Sequence, residues 1–175
     1  RSAGSDHHRM PHTGTTGYHE GEVPLPSFAL SAPDADQVAR LAATGQPIRM
    51  KLFSAARTYE SHSQNVIGEI VGATRPEEVI VLGSHMDSWD MGTGAIDDAA
   101  GGGITVAAAL HIARAGRPDR TIRVILFGAE EVAQPSEAYV KGGTVYVRNI
   151  GDAVEKHIIA GESDLGADNV YALGL

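Results

Sequence analysis

The sequence predicts an α/β fold, a sheet of parallel strands covered by helices, and three observations predict it. Three short apolar runs read as strands: Val79–Leu82, taken as buried, then Thr121–Phe127 and His157–Ala160. Between the first two lies an alanine- and glycine-rich stretch of helical composition, and an alternating strand and helix order implies parallel pairing. Each run also leads into acidic residues. His85 and Asp87 follow the first, Glu130 and Glu131 the second, and Glu162 and Asp164 the third. In an open α/β sheet, ligands sit in the crevice beyond the carboxyl ends of the strands, which is where this rule gathers His85, Asp97, Glu130, Glu131 and Asp164.

In chain order, residues 1–27 are rich in Gly, Ser, Thr, His and Pro without periodicity and read as loop. The histidines His7, His8 and His12 are read as part of that loop rather than as ligands. Ser31 and the acids after it supply a cap and first turn, Val38, Leu41 and Ala42 share a face, and Gly45 stops the helix. Ile48–Phe53 alternates apolar and basic residues as a half-exposed strand does, and Asn65–Val71 reads as another strand. The polar stretch between them places a boundary near residue 58. Gly72–Glu78 reads as a turn before the first buried strand. The helix over Ala99–Ala113 is made of small residues, which let it approach the sheet closely, and Gly116-Arg117-Pro118 ends it. A short helix is expected around Ser136–Lys141, ahead of the last strand.

Composition narrows the function. A formal charge of −8, with the 14 Lys and Arg scattered, argues against a nucleic-acid partner, which needs clustered cations to neutralise phosphates. No apolar run approaches the roughly 20 residues that span a bilayer, so no membrane span is expected. The absence of cysteine excludes disulfides, thiolate zinc sites and cysteine nucleophiles. The chain opens at Arg1 rather than Met and stops within an expected strand, so it reads as a piece of a longer protein.

Singly, the site residues have plain explanations: His85 as a hydrogen-bonded structural histidine, Asp97 or Asp98 as a helix cap, Glu130-Glu131 as a solvated pair, Asp164 as a turn residue. Their joint occurrence at successive strand ends favours chemistry. One histidine with several carboxylates suits zinc or a similar divalent ion, and a carboxylate bridging two metals is an established catalytic arrangement. Of two adjacent glutamates, one can bind metal while the other moves protons. Phosphate binding at Gly92-Thr93-Gly94 is rejected, because Asp97 stands where a dinucleotide fingerprint needs glycine and its carboxylate would repel pyrophosphate. A serine nucleophile is rejected too, since Gly83-Ser84-His85-Met86-Asp87 lacks the closing glycine of the nucleophile elbow.

The segments His85-Met86-Asp87-Ser88-Trp89-Asp90, Gly94-Ala95-Ile96-Asp97-Asp98, Glu130-Glu131 and Glu162-Ser163-Asp164 together resemble the dinuclear zinc peptidases of the aminopeptidase family, in the branch that includes carboxypeptidase Q. The likeness extends into Pro11-His12-Thr13-Gly14 and Asn65-Val66-Ile67-Gly68-Glu69. The resemblance implies a mixed, largely parallel sheet with helices on both faces. It implies that residues 1–58 are the closing part of a protease-associated-like insertion and residues 59–175 a partial catalytic core. It also implies two zinc ions and hydrolysis of small unblocked peptides, with His85 and Asp164 on one ion, Asp97 bridging, and Glu131 on the second. Glu130 is then the general base, and Asp87 orients the imidazole of His85. Secreted or periplasmic location is implied, with a homo-oligomer left open. The family's fifth ligand is a histidine well downstream of the Asp164 position, and the chain ends eleven residues after Asp164, so one zinc site is expected to be incomplete and the chain alone inactive. The family also carries glycines just after its Glu-Glu pair, where this chain has Val132-Ala133-Gln134-Pro135-Ser136. A non-catalytic, peptide-binding or receptor-like relative with the same fold is the competing reading.

Overall fold

The computed structural model describes residues 18–23, 25–55, 57, 59–89, 92–131 and 141–164. The histidines His7, His8 and His12, and the helix expected around Ser136–Lys141 except its last residue, lie outside them. The chain divides into two compact units, residues 1–59 and 60–175.

The first unit contains helix α1, Ala32–Ala42. Ser31 caps it, its Oγ accepting the Asp34 amide at 3.4 Å and donating to the Asp34 carboxylate at 2.6 Å. Arg40 in the last turn complements the helix dipole. The strand expected over Ile48–Phe53 does not form; those residues have no regular secondary structure, and Phe53 is 85% exposed. Alternation marks a strand only where another backbone pairs with it, and no described segment does so here.

The second unit is built on a four-stranded sheet in the order β1-β3-β2-β4, where β1 is Val66–Ile70, β2 Arg75–His85, β3 Arg120–Phe127 and β4 His157–Glu162. Strands β3 and β4 both run parallel to β2, and β1 runs antiparallel to β3. The sheet is therefore mixed and largely parallel. The expected turn over Gly72–Glu78 is shorter than that: β2 already begins at Arg75, and the register slips between Arg75 and Val79, so the strand absorbs the Pro-Glu-Glu segment as a bulge.

The pleat of β2 sorts its neighbours to two faces. On one face Val79 and Val81 pack with Ile125 of β3 and Tyr146 of helix α3, Gly142–Ile150, and this is the buried apolar core. Helix α2, Ala100–Ala115, lies on the other face, where Thr105 donates to the Gly83 carbonyl at 3.2 Å. Its first turn comes close to its surroundings: a Cβ on Gly101 would overlap the Asp98 carboxylate and the Ser163 carbonyl. Helix α3 was missed in the sequence, and a polar relay anchors it. Arg123 donates to the Tyr146 hydroxyl at 2.6 Å, and the hydroxyl meets His157 Nε2 at 2.7 Å. His157 Nδ1 faces the Ala153 carbonyl at 3.0 Å and must carry the proton, so Nε2 accepts from Tyr146.

Candidate metal centre

His85 is the last residue of β2, one of the two inner strands of the sheet, and 1% of its side chain is exposed. Its Nδ1 lies 2.9 Å from the backbone carbonyl of Asp87. A carbonyl only accepts, so Nδ1 bears hydrogen and the Nε2 lone pair of the neutral ring points outward. There it meets carboxylates, Asp97 Oδ1 at 2.9 Å and Asp164 Oδ1 at 3.4 Å. Burial pushes the imidazole pKa down, but the hydrogen bond to Asp97, the Asp87 carbonyl and the charges of Asp98 and Asp164 outweigh it, and the net shift is upward from 6.5. Without a cation, a proton must occupy the point between this nitrogen and its acidic neighbours.

Asp97 reaches this point from an irregular turn, Ala95–Ala99, entered through Gly94 in the left-handed region at φ 63°. Neither Asp97 nor Asp98 has helical dihedrals, and the peptide bond joining them is cis. The two carboxylates serve different partners. Asp98 is buried and accepts from Ser84 Oγ at 2.6 Å, the His85 amide at 3.2 Å and the Gly101 amide at 3.1 Å. The bond to Gly101, three residues on, is the capping role considered in the sequence, and the other two fix the end of β2. Asp97 instead contacts His85 and also hydrogen-bonds Glu131.

Glu130 and Glu131 leave β3 through Gly128 and Ala129, and Ala129 has a positive φ of 57°, which costs a non-glycine residue about 1 kcal/mol. Asp87 holds the pair, its two carboxylate oxygens accepting the Glu130 amide at 3.0 Å and the Glu131 amide at 2.9 Å. Its carbonyl, not its carboxylate, orients His85, because the carboxylate is engaged across the crevice and stands 3.7 Å from Nδ1. Asp164 follows β4 and keeps 48% of its side chain exposed.

Among the described residues, two groups of donor atoms each lie within 4.8 Å of one another: His85 with Asp97 and Asp164, and His85 with Glu130 and Glu131. Ligands of one tetrahedral zinc, each about 2.1 Å from the ion, stand about 3.4 Å apart. Negative charge accumulates there. Burial, then the charges of Asp97 and Glu130, raise the Glu131 carboxyl above its ordinary value despite the opposing pull of His85. Glu162, to which sequence reasoning assigned no role, is raised by desolvation and by Asp164, Glu130 and Asp98. One imidazole with converging carboxylates, buried enough to repel one another, is a donor set that fits a divalent cation.

The model of peptidase family M28 matches residues 65–160. Mouse (Mus musculus) carboxypeptidase Q is 40% identical over 123 residues, which are 69% of this chain and 26% of that protein. Human (Homo sapiens) carboxypeptidase Q is 39% identical over 133 residues, 75% of this chain and 28% of that protein. The crystal structure of a peptidase M28 precursor from Shewanella amazonensis superimposes with a TM-score of 0.81 at 41% identity, covering 98% of this chain and 38% of that one. The chain thus spans about a quarter of the length of the curated relatives it matches. A matched model over more than half of the sequence, and relatives and a solved structure near 40% identity, place one conclusion beyond the geometry: the chain belongs to peptidase family M28.

Proposed function

We propose that the chain carries most of the catalytic centre of a zinc-dependent exopeptidase or dipeptidase that hydrolyses small unblocked peptides. The observation that carries this reading is the His85 Nε2 lone pair aimed at Asp97 and Asp164 from a buried strand end. In this reading His85, Asp97 and Asp164 hold one zinc, and Asp97 with Glu131 contributes to a second. Zinc supplies Lewis acidity there, bringing the ionisation of water toward about pH 7 and polarising a carbonyl. Glu130 is the general base: its carboxylate takes a proton from the attacking water and returns it to the leaving amine. Asp87 keeps Glu130 and Glu131 in place through their amides, and Asp98 keeps His85 in place through its own. The family relation also supports reading residues 1–58 as the closing part of a protease-associated-like insertion, and a secreted or periplasmic parent. Among the described residues no helix is long and apolar enough to cross a membrane.

The test uses the full-length parent: metal content by mass spectrometry, and hydrolysis of a panel of unblocked dipeptides before and after chelation. Bound zinc with chelator-sensitive hydrolysis is expected. Zinc without hydrolysis of any peptide would favour a non-catalytic relative, and a parent that retains no metal would sink the reading altogether.

A further inference from the structure

The exit of β3 and the start of α3 are tied together by one side chain far away in sequence. Asn65 Nδ2 donates to the Gly142 carbonyl at 2.8 Å, and its Oδ1 accepts the Gly128 amide at 3.1 Å. The Gly142 amide closes the ring by donating to the Gly128 carbonyl at 2.8 Å. There is no spare room in this clip: a Cβ on Gly142 would meet Asn65 Oδ1 and lie 2.6 Å from the Gly128 carbonyl oxygen. Lys141 precedes Gly142, so the clip fixes its backbone. Its Nζ lies 2.5 Å from Glu130 Oε1. The backbone of Glu130 is fixed independently by Asp87.

From this geometry we propose that Lys141 is a positioning residue for the reaction, holding the Glu130 carboxylate by Oε1 so that Oε2 performs the proton transfer. The proposal rests on the reading of Glu130 as general base. A charge-assisted hydrogen bond from a clipped backbone restrains a carboxylate that would otherwise rotate freely at the end of its chain. Both partners keep about a third of their side chains exposed, 35% for Lys141 and 38% for Glu130, and exposed pairs contribute little to folding. The effect should therefore appear in turnover and not in stability.

In the zinc-loaded, full-length parent, Lys141→Met is expected to lower kcat on a dipeptide about tenfold or more, because misplacing a catalytic group by about 1 Å is costly. KM, zinc content and melting temperature should stay near the parent values, and Lys141→Arg should recover most of the rate by restoring a donor. A Lys141→Met enzyme turning over as fast as the parent, or faster, would overturn the proposal and show the lysine to be a bystander or a brake. Crystal structures of the zinc-loaded parent and the Met variant give a readout independent of turnover. One Glu130 rotamer in the parent and several, or a different one, in the variant is expected. The same single rotamer in both would refute the positioning role even if the parent cleaves no peptide and the peptidase reading has failed by itself.

Discussion

His85 ends a buried strand and Asp98, from the turn Ala95–Ala99, is buried beside it, where its carboxylate accepts from Ser84, the His85 amide and the Gly101 amide. Glu130, Glu131 and Asp164 come from segments that have just left the sheet; they remain partly open to solvent and are held by fewer contacts. The difference separates two tasks within one centre. In the proposed reading the strand side sets where a cation sits, and its rigidity derives from the same bonds that finish the fold. In that reading the loop side moves protons and completes coordination, from carboxylates that keep a face open to solvent.

If this division is right, changes on the loop side act on chemistry and changes on the strand side act on folding. Glu130→Gln in the full-length parent should lower kcat by about 10² to 10⁴ with zinc content and melting temperature retained, as a lost general base does. Steady-state kinetics alongside metal analysis checks it, and near-normal turnover would break the comparison on its loop side. Asp98→Ala should cost about 3 kcal/mol or more of stability, since it strands the His85 and Gly101 amides in a buried site. Urea unfolding of the metal-free protein reads this; a loss below about 1 kcal/mol would mean that the strand end is not held as the hydrogen bonds imply. Glu131→Gln should weaken zinc binding, measured by titration, while leaving unfolding almost unchanged.

A smaller effect resolves the two sides by pH. His85 is raised above 6.5, so the folded metal-free protein holds that proton more tightly than the unfolded chain does. The stability this contributes is full below about pH 6.5 and is lost as the pH rises through the raised value. Glu131 and Glu162 are raised above 4.5, which has the same sign in a lower window: stability is present below about 4.5 and is lost as the pH climbs through their raised values. The melting temperature of the metal-free protein should thus fall in two steps between mildly acidic and alkaline pH. His85→Asn should delete only the upper step. Zinc should reverse the trend, because it binds the deprotonated ligands.

Much of this was legible in the sequence for physical reasons. β-Branched runs such as Val79–Leu82 and Thr121–Phe127 are strands because only a buried sheet accommodates them, and the acids after them fall at one edge by topology. Helix α3 was not legible, since Lys141-Gly142-Gly143 carries no capping side chain and glycine is a poor helix former. Its glycine is there for the close approach to Gly128 and Asn65, a contact 77 residues apart for which local sequence gives no sign. The division of labour between the carbonyl and carboxylate of Asp87 was equally hidden, because both belong to one residue. Ile48–Phe53 misled in the opposite direction, offering a strand pattern that no strand among the described residues pairs with.

The run Gly101-Gly102-Gly103 looks uniform but its members are unequal. At Gly101 any side chain would strike Asp98 and the Ser163 backbone, at Gly102 a Cβ would come 3.3 Å from the Ser84 hydroxyl, and at Gly103 it would meet nothing within 4 Å. A saturation library over these positions should return glycine alone at 101, little beyond alanine or serine at 102, and a broad spectrum at 103. Gly103→Ala would then be the one change in the run that improves the protein, by up to about 1 kcal/mol of helix propensity, and would give a more robust background in which to study the others.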